Sequence, residues 1–156
     1  MKKPGALVAA ALTAVMATAC GWSPSGPAPT TTVACGPGPA AEAIEAEIAM
    51  LGPGQWRDTD RGSTADCTLR WVVVTDGEEP GSPQQVLFFA DTEPVGSPTP
   101  EPRPYITVIP QGDSTALVQY QWRQNQDQPC CPTGIGSARV VLEEGRLTVL
   151  DPVPGP

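Results

Sequence analysis

The chain contains no histidine, and that absence removes a wide range of chemistry. A Ser-His-Asp triad, a Cys-His pair, a His-rich zinc site and a protonation switch near neutral pH all require an imidazole. Lysine is confined to Lys2 and Lys3. Aromatic residues are scarce, eight in 156, so they are expected to be used in the core rather than on a ligand surface. The apolar stretch from Ala6 to Ala19 falls short of the roughly 20 residues that a membrane-spanning helix needs. Proline and glycine, by contrast, are abundant, at 20 and 16 residues. Together they make up close to a quarter of the chain, against an average of roughly 12%, which bounds the protein to one small domain with loose segments.

Met1-Lys2-Lys3 followed by the uncharged stretch Ala6–Ala19 has the charged and apolar regions of a secretory signal, expected to cover residues 1–19. Ala17-Thr18-Ala19-Cys20-Gly21 resembles the lipobox of bacterial lipoproteins, in which the cysteine receives a diacylglycerol thioether. That predicts lipidation of Cys20 and a membrane contact through its acyl chains. Each buried methylene contributes about 0.8 kcal/mol, and more than one chain makes the anchoring stable.

Residues 20–34 include a Pro/Ser/Thr/Gly tract that cannot bury enough apolar surface to offset its ordering entropy, and are expected to form a tether. About 14 flexible residues reach roughly 20 Å. Cleavage before Cys20 would leave seven arginines against all 17 acids, a net charge of about −10. So acidic a chain is a poor partner for nucleic acid.

The globular domain is expected over residues 35–152, with 153–156 as a C-terminal tail. Ile44, Ile48 and Leu51 share one face of a predicted helix over Ala40–Leu51, which Gly52-Pro53 ends. Strands are predicted at Thr68–Thr75, Val86–Ala90, Tyr105–Ile109, Thr115–Arg123, Ala138–Leu142 and Leu147–Leu150. Val86–Ala90 shows no alternation and is expected to be buried on both faces. Glu93–Pro104 holds five prolines, cannot be a helix or a central strand, and reads as a long surface loop suited to a partner contact. The expected fold class is therefore α+β: one N-terminal amphipathic helix packed on an antiparallel meander of about five to six strands, stapled by disulfides.

Four cysteines remain beyond Cys20: Cys35, Cys67, Cys130 and Cys131. Export places them where disulfides persist. A Cys35–Cys67 bridge would pin the helix to the sheet and leave Cys130 paired with its neighbour Cys131; the alternative has one or both of the adjacent pair reaching back to Cys35 and Cys67. Export favours oxidation over a four-thiolate zinc site, and a CC pair is not the CxxC of a redox motif. No metal or cofactor is expected.

The acids of Asp58-Thr59-Asp60 and Asp76-Gly77-Glu78-Glu79 fit no calcium loop and read as solvated turns. Ser63 lies in no nucleophile elbow, and Gly134-Ile135-Gly136-Ser137 lacks the helix and lysine of a phosphate cradle. Trp56 reads as a loop residue covering the core edge. No catalytic residue is assigned.

Leu69-Arg70-Trp71-Val72, Val86-Leu87-Phe88-Phe89, Thr99-Pro100-Glu101-Pro102, Val118-Gln119-Tyr120-Gln121-Trp122 and Cys130-Cys131-Pro132-Thr133-Gly134, in that order after the lipobox and tether, resemble the LppP/LprE family of actinobacterial lipoproteins. The resemblance covers most of Cys35–Leu150 and implies a lipid-anchored envelope protein without an established enzymatic activity. The expectation is a non-catalytic lipoprotein on the outer face of the cytoplasmic membrane, displaying an interaction or structural domain to other envelope proteins. The alternative is a binding module for a small apolar or lipid ligand between the helix and the sheet, lined by Ile48, Phe89 and Trp122. A third reading is an enzyme working with carboxylates or thiols.

Overall fold

A computed structural model describes residues 34–155. The signal segment, Cys20 and all but the last residue of the expected tether lie outside the described residues.

The helix α1 covers Ala41–Met50. Ala40 before it is extended and offers no side-chain cap, while Glu42 in the first turn complements the helix dipole. Gly52, at φ +93, stops it.

Eight strands follow among the described residues. The first sheet contains β1 (Trp56–Ser63), β2 (Leu69–Asp76), β3 (Gln84–Ala90) and β4 (Glu93–Gly96), in that order. The second contains β5 (Ile106–Gln111), β6 (Thr115–Trp122), β7 (Gly134–Glu143) and β8 (Arg146–Val149), also in chain order. Every pairing is antiparallel.

The expected α+β class is therefore corrected. The described residues are mostly β, two four-stranded sheets with one short helix, and not a helix on a single meander of five to six strands. The meander breaks after β4 because Pro98, Pro100, Pro102 and Pro104 have no N–H to donate and cannot carry a ladder onward. Two strands escaped the sequence reading. β1 (WRDTDRGS) is an outer strand exposed over most of its length, so no hydrophobic period marks it. β4 begins the proline-rich segment, where Pro94 is tolerated because the strand lies on an edge. The strand β7 also starts four residues earlier than expected, taking in Gly134-Ile135-Gly136-Ser137.

The core sits between the sheets. Leu69, Trp71 and Val73 of β2 and Val86 and Phe88 of β3 pack against Ile106, Val108, Ala116, Val118, Tyr120, Ala138 and Val140 of the second sheet. The alternate residues Val72, Val74, Leu87 and Phe89 point the other way, where Ile44 of α1 packs on them. The first sheet is thus covered on both faces, which is why β2 and β3 read as unbroken apolar runs. Each fully buried side chain such as Phe88 or Phe89 contributes about 2–3 kcal/mol.

Candidate functional site

The two ends of the first sheet differ in kind. At one end the chain enters the domain. Cys35 is bridged to Cys67, and Arg70 of β2, 7% exposed, donates to the carbonyl of Gly36 at 2.9 Å and pairs with Asp91 at 3.1 Å. The loop that carries Cys67 is held rigid by Asp66. Its carboxylate accepts from the Thr64 hydroxyl at 2.6 Å and from the Thr68 N–H at 3.1 Å. Burial pushes the Asp66 carboxyl up, but these hydrogen bonds outweigh it and hold the group below its ordinary value.

At the other end an open cleft of about 620 Å³ lies between the sheets. Its walls come from Arg57 and Thr59 of β1, Thr75 of β2, the turn Gly77–Ser82, Gln84 of β3, the segment Tyr105–Thr107 and Gln121 of β6, with Cys130 at its margin. Seven strand steps separate Leu69 from Asp76, roughly 23 Å, so the cleft opens at the end of the sheet remote from Cys35, where the described chain begins to pack on it.

A chain of hydrogen bonds fixes the cleft floor. The Gln84 amide donates to the Thr75 hydroxyl at 3.1 Å. Thr59 donates to the carbonyl of Val73 at 3.2 Å, so its single proton is used and Thr75 must donate across the 3.0 Å contact between the two hydroxyls. The other end of Gln84 accepts from the N–H of Ile106 at 2.7 Å, which ties the two sheets together.

Tyr105 is the strained member. Its φ of +57 places a bulky residue in the left-handed region, a cost of roughly 1–2 kcal/mol. Its hydroxyl donates to the carbonyl of Pro129 at 2.6 Å, and its own carbonyl accepts from the N–H of Gln121 at 3.2 Å. Gly81 makes the space: a Cβ there would lie 2.6 Å from the Tyr105 hydroxyl oxygen.

Cys130 and Cys131 are joined to each other in a loop that Asp127 organises. Its carboxylate accepts from the N–H groups of Gln124 at 2.7 Å and Thr133 at 2.8 Å, and these bonds hold it below its ordinary value. At the cleft mouth Arg57 donates to Glu78 at 2.6 Å, and that hydrogen bond with the Arg57 charge depresses the Glu78 carboxyl.

Of the three residues singled out as possible ligand-lining positions, two are brought together and the third is not. Ile48 and Phe89 meet beneath α1 in a cluster with Ile44, Val72, Val74 and Leu87, whereas Trp122 belongs to the second sheet. The expected surface loop Glu93–Pro104 is fastened to the body. Thr99 is buried, with its carbonyl accepting from Gln85 at 3.0 Å, and Arg103 donates to the carbonyl of Pro154 at 2.7 Å. The acids expected in a turn at 58–60 lie on β1, where Asp58 pairs with Arg61. Asp76 accepts from the N–H of Gln55 at 2.7 Å. Ser63 lies within 3.2 Å of the Cys35 sulfur. The cleft residues Thr59, Gln84, Tyr105 and Gln121 were missed as a group because they come from four strands or their flanks, and no spacing in the chain links them.

Among the described residues no helix is long and apolar enough to cross a membrane, and no cluster of three metal-ligating side chains occurs. The sequence pattern of the family described as LppP/LprE lipoprotein matches residues 61–141. The chain is also 42% identical over 146 residues to the proteins called LppP, sequence-predicted lipoproteins of Mycobacterium bovis and Mycobacterium tuberculosis, across 88% of this chain and 83% of theirs. No solved structure matches it.

Proposed function

The chain belongs to the LppP/LprE lipoprotein family, and on that footing we propose that it is acylated on Cys20 and displays its β-domain from the outer face of the cytoplasmic membrane, with the cleft as the contact surface. The observation that carries this reading is the polarity of the first sheet. The disulfide Cys35–Cys67 and the Arg70–Gly36 bond root the tether at one end, and the cleft opens at the other. Attachment at the Cys35 end leaves the cleft clear of the point where the chain joins the domain.

The reading is one of binding, and among the described residues no shifted carboxyl supports a general acid. The shifted carboxyls Asp66, Glu78, Asp127 and Asp151 all lie below their ordinary values. A general acid needs the reverse. The family pattern, residues 61–141, runs from the end of β1 into β7, so it covers the core strands of both sheets together with Cys67, Cys130 and Cys131, while Cys35 lies outside it.

The test is export of the wild type and of Cys20→Ala with labelled fatty acid. The wild type should carry label and sediment with membranes. The variant should be unlabelled, appear in the soluble extracytoplasmic fraction, and retain the same melting curve. A Cys20→Ala protein that stays membrane-bound after signal cleavage overturns the anchoring.

A further inference from the structure

Resting on the reading of the cleft as the displayed contact surface, we propose that it is a saccharide site, taking a neutral oligosaccharide with one sugar ring against Tyr105 and the Cys130–Cys131 bridge and its hydroxyls on Gln121, Thr107 and Ser82.

Charge narrows the ligand first. Among the described residues Arg57 is the one cation in the cleft wall; it is already paired with Glu78, and Glu79 adds a further acid beside it. An anion entering this cleft meets a net negative mouth on a chain that is itself acidic, with a formal charge of −8. A metal ion finds no triad of ligands among the described residues. A lipid tail is equally ill served: the cleft is open to water, and its apolar surface is interspersed with hydroxyl, amide and carboxylate side chains in nearly equal share, so an acyl chain would cover polar groups without pairing them.

What remains is a lining suited to a neutral ligand with many hydroxyls. Among the described residues, none hydrogen-bonds the side chains of Thr107, Ser82 or Gln121, although all three line the cleft. An amide and two hydroxyls supply both donors and acceptors, as sugar hydroxyls require. Beneath them Thr59, Thr75 and Gln84 are locked by their own hydrogen bonds, so the floor does not reorganise when a ligand arrives. The Tyr105 ring is fixed at both ends, by the Pro129 carbonyl and by its backbone bond to Gln121. A fixed aromatic face packs against the C–H face of a sugar, and a bridge between adjacent cysteines adds a small, polarisable apolar wall. The open shape admits a chain of sugars passing through, with only one or two units held.

The test uses the full-length protein exported as Cys20→Ala with its disulfides oxidised. Soluble tri- and tetrasaccharides of glucose, mannose, galactose and arabinose are compared with inositol phosphate and a short-chain phosphatidylcholine, by saturation-transfer NMR and calorimetry. At least one neutral oligosaccharide should bind with Kd of roughly 0.1–1 mM, where about 1.4 kcal/mol corresponds to tenfold. Gln121→Ala should weaken it about tenfold, and so should Tyr105→Gly, chosen because glycine tolerates the positive φ. Glu144→Ala, on the β7–β8 turn, should leave binding unchanged. Absence of binding by every oligosaccharide at about 10 mM, ten times the weakest expected Kd, overturns the proposal. So does binding unmoved by both cleft variants, or a preference for the phosphate or lipid probe. A photo-crosslinker at Glu79 that captures an envelope protein, with no saccharide bound, overturns the saccharide site and leaves the displayed cleft standing. A membrane-bound Cys20→Ala protein overturns the display reading whatever the sugars do.

Discussion

The indole of Trp71 occupies the place where a Cβ on Gly62, its registered partner on β1, would have to stand. The second sheet repeats the relationship with Trp122 of β6 and its partner Gly134 of β7. Each glycine leaves its strand open to a tryptophan laid flat across it, so a large ring covers backbone that a side chain would otherwise cover.

Gly62→Ala should therefore destabilise the domain by about 2–3 kcal/mol, since Trp71 is 3% exposed and has no room to retreat. Gly134→Ala should cost about 1–2 kcal/mol, because Trp122 is half-buried and has space to move. Gly145→Ala is the control. Nothing lies within 4 Å of its site, and only its φ of +74 penalises a side chain, by about 1 kcal/mol. Urea unfolding of the three variants checks the order, and Gly62→Ala no more damaging than Gly145→Ala would sink the packing explanation.

The two disulfides should differ sharply in what they contribute. The Cys35–Cys67 bridge closes a span of 32 residues, and its removal as the double serine variant should cost about 3–4 kcal/mol through regained chain entropy. The Cys130–Cys131 bridge joins neighbours and constrains almost no chain, so its serine variant should lose about 1 kcal/mol or less. Thermal melts of both variants decide between this pattern and one in which the two losses are equal.

Stability should be flat near neutral pH and fall on both sides. Asp151 accepts two hydrogen bonds from the Arg139 guanidinium, each 2.8 Å, and one from its N–H at 3.0 Å. These move its carboxyl from 3.8 down to about 2. A depressed carboxyl stabilises the fold above its unfolded value and loses that contribution as pH falls through the folded one, so the acid limb should run between 3.8 and about 2. Asp151→Asn should make it shallower, leaving the part carried by Asp66, Glu78 and Asp127.

Tyr120 sets the alkaline limb. Burial pushes its hydroxyl from 10.0 up to about 12, against a smaller opposing pull from the Arg103 charge. Stability held below 10.0 should be lost as pH rises towards 12. Tyr120→Phe should remove this limb and change neutral-pH stability by less than about 1 kcal/mol, because the buried hydroxyl has no hydrogen-bond partner among the described residues. Urea midpoints measured across the pH range test both limbs.

Much of the body was legible where one physical signal dominated. TLRWVVVT and VLFFA announce strands by β-branched and aromatic content, and the lack of alternation in VLFFA marks cover on both faces. TALVQYQW alternates and so shows which face is buried: Ala116, Val118 and Tyr120 lie in the core, with Leu117 and Gln119 half-buried on the other side. The α+β assignment failed because β1 and β4 carry no such signal. One is polar and outermost, the other holds a proline, and both are strands only because β2 and β3 offer them a ladder.

By itself the sequence determined the chemistry excluded by the missing histidine, the helix and the central strands, because each depends on composition or on spacing within a short stretch. Only the tertiary structure decided that the strands divide into two sheets and that the Cys35–Cys67 bridge and the cleft stand at opposite ends of β2. It alone brought Gln84, Tyr105 and Gln121 to one site. Register and packing join residues tens of positions apart, and no local preference in the chain encodes which of them will meet.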